Sequence, residues 1–255
     1  VDDEILPVIG RHFRDGTFDP SWPRKLGALG ALGASLSGYG CAGLGPVAYG
    51  LIMQELERGD SGVRSFASVQ GALVMYPIHS FGSEEQKLRW LPKMATGEAV
   101  GCFGLTEPDF GSNPGGMRTT ARRVGDTYVL NGEKRWITNG GLSDVAVVWA
   151  KTDEDGQGKG GAKSVRGFLV ERGTPGFSTR DIHGKFSLRA SVTSELIFED
   201  CVVPASAMLP GVQGLRGPLS CLNQARFGIS FGAIGAAMAC YDEALRYTKD
   251  RKQFS

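Results

Sequence analysis

The segment GCFGLTEPDFGSNPGGM, residues 101–117, lies where the chain changes from helical patterns to strand patterns. It joins a short apolar strand to a loop of Gly, Ser, Thr and Pro, with hydroxyl groups at Thr106 and Ser112. Such a loop offers backbone amides and close approach, which suits a phosphate-bearing or heteroaromatic ligand. Taken alone, it is better explained as an ordinary turn. Further along, KRWITNGG places the indole of Trp136 beside the hydroxyl of Thr138 at a strand end.

The sequence before this segment, residues 1–98, predicts helices. Pro46 suits the first turn of a helix, and Ser83 followed by Gln86 three residues later is a capping box. The three histidines, His12, His79 and His183, share no metal-ligand spacing, so we predict no metal site.

Residues 99–203 predict strands, and residues 204–255 predict helix again. No helical period separates the strands, which favours an antiparallel barrel or sandwich over a parallel sheet with crossover helices. Asn131 and Gly132 form a dipeptide that is typical of a hairpin turn. We therefore expect an α+β multidomain protein with a helical N-terminal domain, a middle antiparallel β domain and the start of a C-terminal helical bundle.

Composition excludes several classes of protein. Lys and Arg number 28 and Asp and Glu 27, so the net charge of +1 supplies no field for a nucleic acid or an anionic membrane. The five cysteines are odd in number and contain no C-x-x-C pair, which argues against a disulfide scaffold and a cysteine zinc site. Glycine, with 38 of 255 residues, is about twice as frequent as usual, which predicts tight turns and close backbone approaches.

Residues 26–54 carry no charge and are long enough to span a bilayer, but many of them are glycine. We interpret them as a helix, a glycine loop and the start of a second helix, and we predict no membrane insertion. The beginning, VDDEILPVIG, lacks the plan of a signal peptide. We expect a cytoplasmic bacterial protein, or a mitochondrial matrix protein if the source is eukaryotic.

One glycine-rich segment, GQGKGG at residues 156–161, matches the dinucleotide pattern G-x-G-x-x-G. A dinucleotide fingerprint opens a helix, whose N-terminal amides meet the pyrophosphate. Here the next apolar segment, VRGFLVE, predicts a strand. We interpret the segment as an exposed hairpin loop that binds no nicotinamide cofactor.

Several motifs in order resemble the acyl-CoA dehydrogenase family across nearly the whole chain. FGLTEPDFGS, WITN, KFSLRAS and a helix ending in DRKQF carry the resemblance. GYGCAG, VAYGL, ELERGDSG, GCFGLTEP and CLNQAR are similar to the glutaryl-CoA dehydrogenase branch in particular. The resemblance implies FAD as cofactor, a homotetramer and an electron-transfer flavoprotein as electron acceptor.

The resemblance also assigns residues to the cofactor and the substrate. Trp136 would pack against the flavin, Thr138 would donate to its reactive edge, and Arg251 would reach the FAD of a neighbouring subunit. The remaining cofactor-binding residues are Phe103, Leu105, Thr106, Gly111, Ser112 and Ile137. Acyl-CoA would contact Arg64, Ser65, Ser112, Leu219, Leu222, Asn223 and Arg226.

The implied reaction is α,β-dehydrogenation of an acyl-CoA thioester, and it requires a carboxylate base. Two branches of the family have that base immediately before the arginine that matches Arg226, where this chain has Ala225. Glu107 does not match the family's base either. We expect the base downstream of Ser255, since the chain ends in KDRKQFS without a capping signal. Alternatively, the chain is a truncated homologue that binds flavin or acyl-CoA without catalysis.

The acyl group is the remaining question. Glutaryl-CoA, which the branch oxidises and decarboxylates to crotonyl-CoA, carries a terminal carboxylate that needs a cationic partner. Pro20 stands where the branch has an arginine, and Arg24 follows one helical turn later. Either Arg24 substitutes for that arginine, or the substrate is a plain short-chain or branched acyl-CoA.

Overall fold

The computed structural model describes residues 1–153 and 161–254. Its N-terminal part is helical, as the sequence predicts. The helices are α1 (Leu6–Asp15), α2 (Trp22–Ala28), α3 (Pro46–Gly59), α4 (Ser61–Ser68), a π-helical segment (Val69–Met75), α5 (Tyr76–Phe81) and α6 (Glu84–Ala95).

Local signals in the sequence set several of these helix starts. Pro46 is in the first turn of α3, where its missing N–H removes no helix hydrogen bond. Asp60 caps α4 by accepting hydrogen bonds from the N–H groups of Gly62 and Val63. The predicted capping box is present, since Ser83 accepts from the Gln86 N–H and the Gln86 side chain accepts from the Ser83 N–H.

A single mixed sheet forms the middle part of the protein. Its strands are β1 (Gly101–Gly104), β2 (Thr120–Val124), β3 (Thr127–Thr138), β4 (Val145–Asp153), β5 (Val165–Glu171), β6 (Phe177–Asp181) and β7 (Thr193–Pro204). The expected antiparallel pairing holds for β2–β3, β3–β7, β4–β5 and β6–β7. β4, however, runs parallel to both β1 and β2.

The predicted hairpin turn at Asn131 and Gly132 is wrong. Both residues lie inside β3, where the pairing with β7 shifts between Leu130 and Gly132 as a β-bulge. The φ angle of Gly132 is 142°, and a Cβ at this position would be 2.5 Å from the hydroxyl oxygen of Thr119. A glycine is therefore needed here for a bulge and a close approach, and the hairpin turn instead falls between Val124 and Thr127.

The chain returns to helix in α7 (Arg216–Asp250), which packs on α3. Its buried residues are small, and they include Gly228, Gly232 and Gly235. Two aromatic residues of α7 also contact α3, since Phe227 stacks on Tyr49 and the ring of Phe231 lies against Gly50. Further along α7, large apolar side chains such as Ile234 and Met238 are exposed.

Within the described ranges, none of the helices is both long and apolar enough to cross a membrane. The glycine-rich segment at residues 156–161 lies outside the described residues except for Gly161. The interpretation of that segment as a hairpin loop stays a prediction.

Candidate active site

A cavity of about 290 Å³ lies between the N-terminal helices, the sheet and the start of α7. The helices contribute Val69 and Leu73 of the π-helical segment. The sheet and its loops contribute Phe103, Leu105, Thr106, Gly111, Ser112, Pro114, Trp136, Ile137 and Thr138, and α7 contributes Leu219, Leu222 and Arg226. A larger cavity of about 530 Å³ between α1, α2 and α3 contains none of the predicted site residues.

Most of the predicted cofactor residues meet in this cavity, together with four of the predicted substrate residues. They come from three segments far apart in sequence: the loop after β1, the end of β3 and the first turns of α7. A hydrogen bond of 2.8 Å from the Arg135 N–H to the Thr106 carbonyl joins the two sheet segments. Val69, Leu73 and Pro114 also line the cavity and were missed by the sequence analysis. Val69 and Leu73 follow Ser65 at intervals of four residues, which places all three on one helix face. This spacing could have predicted Val69 and Leu73 from the sequence.

The other predicted residues lie outside the lining of the cavity. Ser65 is half-buried one helical turn before Val69, and Arg64 beside it is buried in an ion pair with Glu57. Asn223 is exposed on α7 and accepts a hydrogen bond from Arg226. Arg24 is exposed on α2.

Arg251 is exposed immediately after the end of α7, away from the lining of the cavity. Contact with the FAD of a neighbouring subunit therefore stays a prediction for this residue.

Trp136 has an unusual backbone conformation at the edge of the cavity. Its φ angle is 62°, a left-handed conformation that is strained for an aromatic residue. The pairing of β3 with β7 shifts between Lys134 and Ile137, so the strand bulges at this residue. As a result 57% of Trp136 is exposed rather than packed in the core. Arg135 stacks on the indole at 5.5 Å and pairs with the buried Glu195.

Three hydroxyl groups line the cavity without a fixed partner. Within the described part of the chain, the side chains of Thr106, Ser112 and Thr138 form no hydrogen bond. Thr106 and Thr138 are half-buried, and hydroxyls in such positions usually find a partner in a protein, whereas Ser112 is exposed. A ligand with several acceptors could therefore bind here, against an exposed aromatic face.

Glu107, the carboxylate closest in sequence to this lining, is already engaged. Its Oε1 accepts hydrogen bonds from Lys134 Nζ at 2.8 Å and from the Thr119 N–H at 2.9 Å, while Oε2 accepts from the Arg118 N–H at 2.6 Å. Burial raises the pKa of Glu107, but the Lys134 ammonium and these N–H groups outweigh it and hold the pKa below its usual range. Glu107 is therefore a poor proton acceptor.

Within the described residues, no Asp, Glu or His side chain lines the cavity. Ala225, half-buried on α7 beside Arg226, cannot accept a proton. The described residues also contain no group of three or more His, Cys, Asp or Glu side chains that could hold a metal ion.

Comparison with known proteins identifies three consecutive domains of one family. Residues 1–98 match the acyl-CoA dehydrogenase N-terminal domain, residues 102–201 the middle domain and residues 212–255 the C-terminal domain. The chain is also 38% identical to the short-chain specific acyl-CoA dehydrogenase of Rattus norvegicus, covering 98% of this chain and 60% of that protein. The chain thus spans about 60% of the length of this curated relative.

Solved structures share the fold over the whole chain. A glutaryl-CoA dehydrogenase from Mycobacterium smegmatis in complex with FADH2 is 55% identical, with a TM-score of 0.95, over 100% of this chain and 64% of that one. A chain from a structure described as the electron transferring flavoprotein of Acidaminococcus fermentans is 36% identical, with a TM-score of 0.93, over 99% and 66%.

Proposed function

The chain belongs to the acyl-CoA dehydrogenase family, and from this premise we propose that the whole protein oxidises an acyl-CoA thioester between its α and β carbons, with FAD as cofactor. The observation that carries the proposal is the cavity in which the exposed indole of Trp136 meets three hydroxyl groups without partners. An aromatic face combined with free donors suits the isoalloxazine ring system, which presents an apolar surface and several acceptors.

The residues of the cavity offer both features that FAD needs, an aromatic surface and hydrogen-bond donors. Trp136 would pack against the ring, and Thr106, Ser112 and Thr138 would donate hydrogen bonds to it. Arg251 would serve the FAD of a neighbouring subunit in a homotetramer. When bound, FAD supplies the acceptor for the hydride that leaves the β carbon.

The acyl-CoA would enter along α7. Leu219 and Leu222 give the α7 side of the cavity an apolar surface. Arg226 adds a cation there, and it donates a hydrogen bond to Asn223. Ser65 extends the same helix face as Val69 and Leu73, beyond the lining of the cavity. Hydrogen bonds that polarise the thioester carbonyl would acidify the α-proton. The base that removes this proton would come from a carboxylate outside the described residues.

The substrate we propose is glutaryl-CoA, with oxidative decarboxylation to crotonyl-CoA. The support is the 55% identity to the Mycobacterium smegmatis enzyme. A plain short-chain or branched acyl-CoA is the alternative, since the short-chain specific relative is 38% identical. The terminal carboxylate of glutaryl-CoA needs a cation in a dry site. Arg64 is buried beside Ser65, but Glu57 already neutralises its charge. Arg24 is exposed on α2 and forms no ion pair with any described residue, so Arg24 is the cation we propose for this role.

The assay that tests the substrate compares glutaryl-CoA with butyryl-CoA on the full-length protein and on two variants. We expect a preference for glutaryl-CoA that falls about tenfold in Arg24→Ala, which loses the cation, and that survives Arg64→Lys, which keeps a cation beside Glu57. A preference that survives Arg24→Ala would contradict the role of Arg24. A preference for butyryl-CoA in the wild type would contradict the glutaryl assignment and leave the family unchanged.

A non-catalytic role is the second candidate, favoured by the lack of a carboxylate lining the cavity in the described part of the chain. A protein of this kind would bind FAD and acyl-CoA, yet anaerobic addition of acyl-CoA would not bleach the flavin. Bleaching by the full-length protein would exclude this candidate.

The remaining proposals concern the surroundings of the enzyme. An electron-transfer flavoprotein would reoxidise the flavin, and the location would be the bacterial cytoplasm, or the mitochondrial matrix in a eukaryote. The five cysteines are all free, which is usual in a reducing compartment.

A further inference from the structure

A buried ion pair joins the two sheet segments that line the cavity. Lys134 lies on β3, two residues before Trp136, and Glu107 lies in the loop after β1, next to Thr106. Lys134 is fully buried and Glu107 is 5% exposed. Neither side chain lines the cavity itself, so neither one contacts a bound ligand there.

The pair is completed by hydrogen bonds to the loop backbone. Lys134 Nζ donates to the Leu105 carbonyl at 3.2 Å as well as to Glu107. The Arg135 N–H donates to the Thr106 carbonyl at 2.8 Å. Both carbonyl groups at the start of the loop are thus tied to β3, immediately before its bulge at Trp136.

A gain in folding stability alone does not explain the buried pair of Lys134 and Glu107. Two apolar side chains of similar volume are often as stable as a buried ion pair or more stable, because both charges must be desolvated. A pair saturated with hydrogen bonds does, however, fix the distance and direction between the segments it joins. Here those segments carry Thr106 on one side and Trp136 and Thr138 on the other.

We propose that Lys134 and Glu107 are positioning residues for the flavin, holding the loop after β1 and the end of β3 at the separation that FAD binding requires. The inference rests on the proposed function, in which this cavity binds FAD. It assigns a role to Glu107 that the sequence analysis left open, and it adds Lys134, which that analysis missed.

The test measures FAD affinity and thermal stability separately in the full-length protein, stripped of FAD and titrated with it. The variants are Glu107→Gln, Lys134→Met and the double variant, which contains no unpaired buried charge. Val203→Ala is the control, since Val203 is buried at the other end of β7 and does not line the cavity.

We expect both single variants to lose stability, because each leaves one charge of the pair buried and unpaired. The double variant should recover part of that stability and yet bind FAD at least tenfold more weakly than the wild type. The visible spectrum of bound FAD should shift in Glu107→Gln and in the double variant. Val203→Ala should lower the melting temperature with FAD affinity within twofold of the wild type.

An FAD affinity that follows the melting temperature across all variants, including Val203→Ala, would overturn the inference, because the pair would then be structural only. Affinity within twofold of the wild type in Glu107→Gln and the double variant would overturn it as well. If Lys134→Met does not fold, the FAD affinities of Glu107→Gln and the double variant test the positioning role. A wild-type protein that binds no FAD would contradict the proposed function itself, which is a distinguishable result.

Discussion

Replacing Trp136 by Ala should weaken FAD binding by an amount that follows from its exposure. An indole side chain presents up to about 250 Å², and 57% of Trp136 is accessible, which leaves roughly 140 Å² for a ligand to cover. A ring lying against one face would cover about half of this area. At about 25 cal/mol per Å², the loss is ~1.8 kcal/mol, or about 20-fold in the dissociation constant.

The assay is fluorescence titration of the FAD-free full-length protein with FAD. Trp136→Phe keeps an aromatic face and should weaken binding only a few-fold. Leu88→Ala is the control, because Leu88 is a large apolar residue on α6 with 60% exposure and lies outside the cavity. Leu88→Ala should leave FAD affinity unchanged.

The stability of the apoprotein separates a local effect from unfolding. The buried part of Trp136, roughly 110 Å², supports a loss of at most about 3 kcal/mol in the free energy of unfolding when it becomes Ala, so the variant should remain folded at 25 °C. If folded Trp136→Ala binds FAD within twofold of the wild type, the flavin does not lie against this indole, and the argument from the exposed face is wrong.

Three further predictions use other parts of the molecule. Thr138→Val should weaken FAD binding about fivefold, for one hydrogen bond of about 1 kcal/mol, whereas Thr179→Val on β6, outside the cavity, should not; equal effects would contradict the donor role of Thr138. Residues 1–255 alone should not oxidise acyl-CoA with an artificial electron acceptor, and Ala225→Glu should restore some turnover to a full-length variant that lacks its own base; robust turnover by the 255-residue chain would overturn this. Finally, burial raises the pKa of the Cys102 thiol from 9.0 to about 12, so this thiol stabilises the fold below pH 9 and loses that contribution as pH rises. Between pH 8 and 10, under reducing conditions, the wild type should lose about 1 kcal/mol more than Cys102→Ala in urea unfolding.

The helical elements could be predicted because their signals are local. The capping box at Ser83 and the proline at position 46 act within one helical turn, and both appear in the structure as expected. The turn predicted at Asn131-Gly132 was wrong because that prediction used a local preference alone. In the structure, the pairing of β3 with β7 overrides this preference. That pairing is long-range, and it turns the glycine into a bulge.

The site could be predicted only in part. The motifs identify Trp136 and Thr138 as important residues, but no sequence pattern states that Trp136 has a left-handed backbone or that its indole is exposed. Lys134 was missed because a lysine in a strand usually faces solvent. Its burial follows from Glu107, which lies in a different segment, so only the three-dimensional structure shows the pair.

The wall of the cavity that α7 forms is positioned by glycines inside this helix, although glycine is usually typical of turns. Gly228 and Gly235 lie inside α7, where each costs about 1 kcal/mol relative to Ala in helix propensity. A Cβ on Gly228 would be 2.9 Å from the hydroxyl oxygen of Tyr49, and one on Gly235 would overlap the Gln54 carbonyl. The glycines therefore let α7 lie directly on α3. Because Leu222 is on the same rigid helix, this close packing sets the distance between the apolar wall of α7 and the sheet, and hence the width of the cavity available to a substrate.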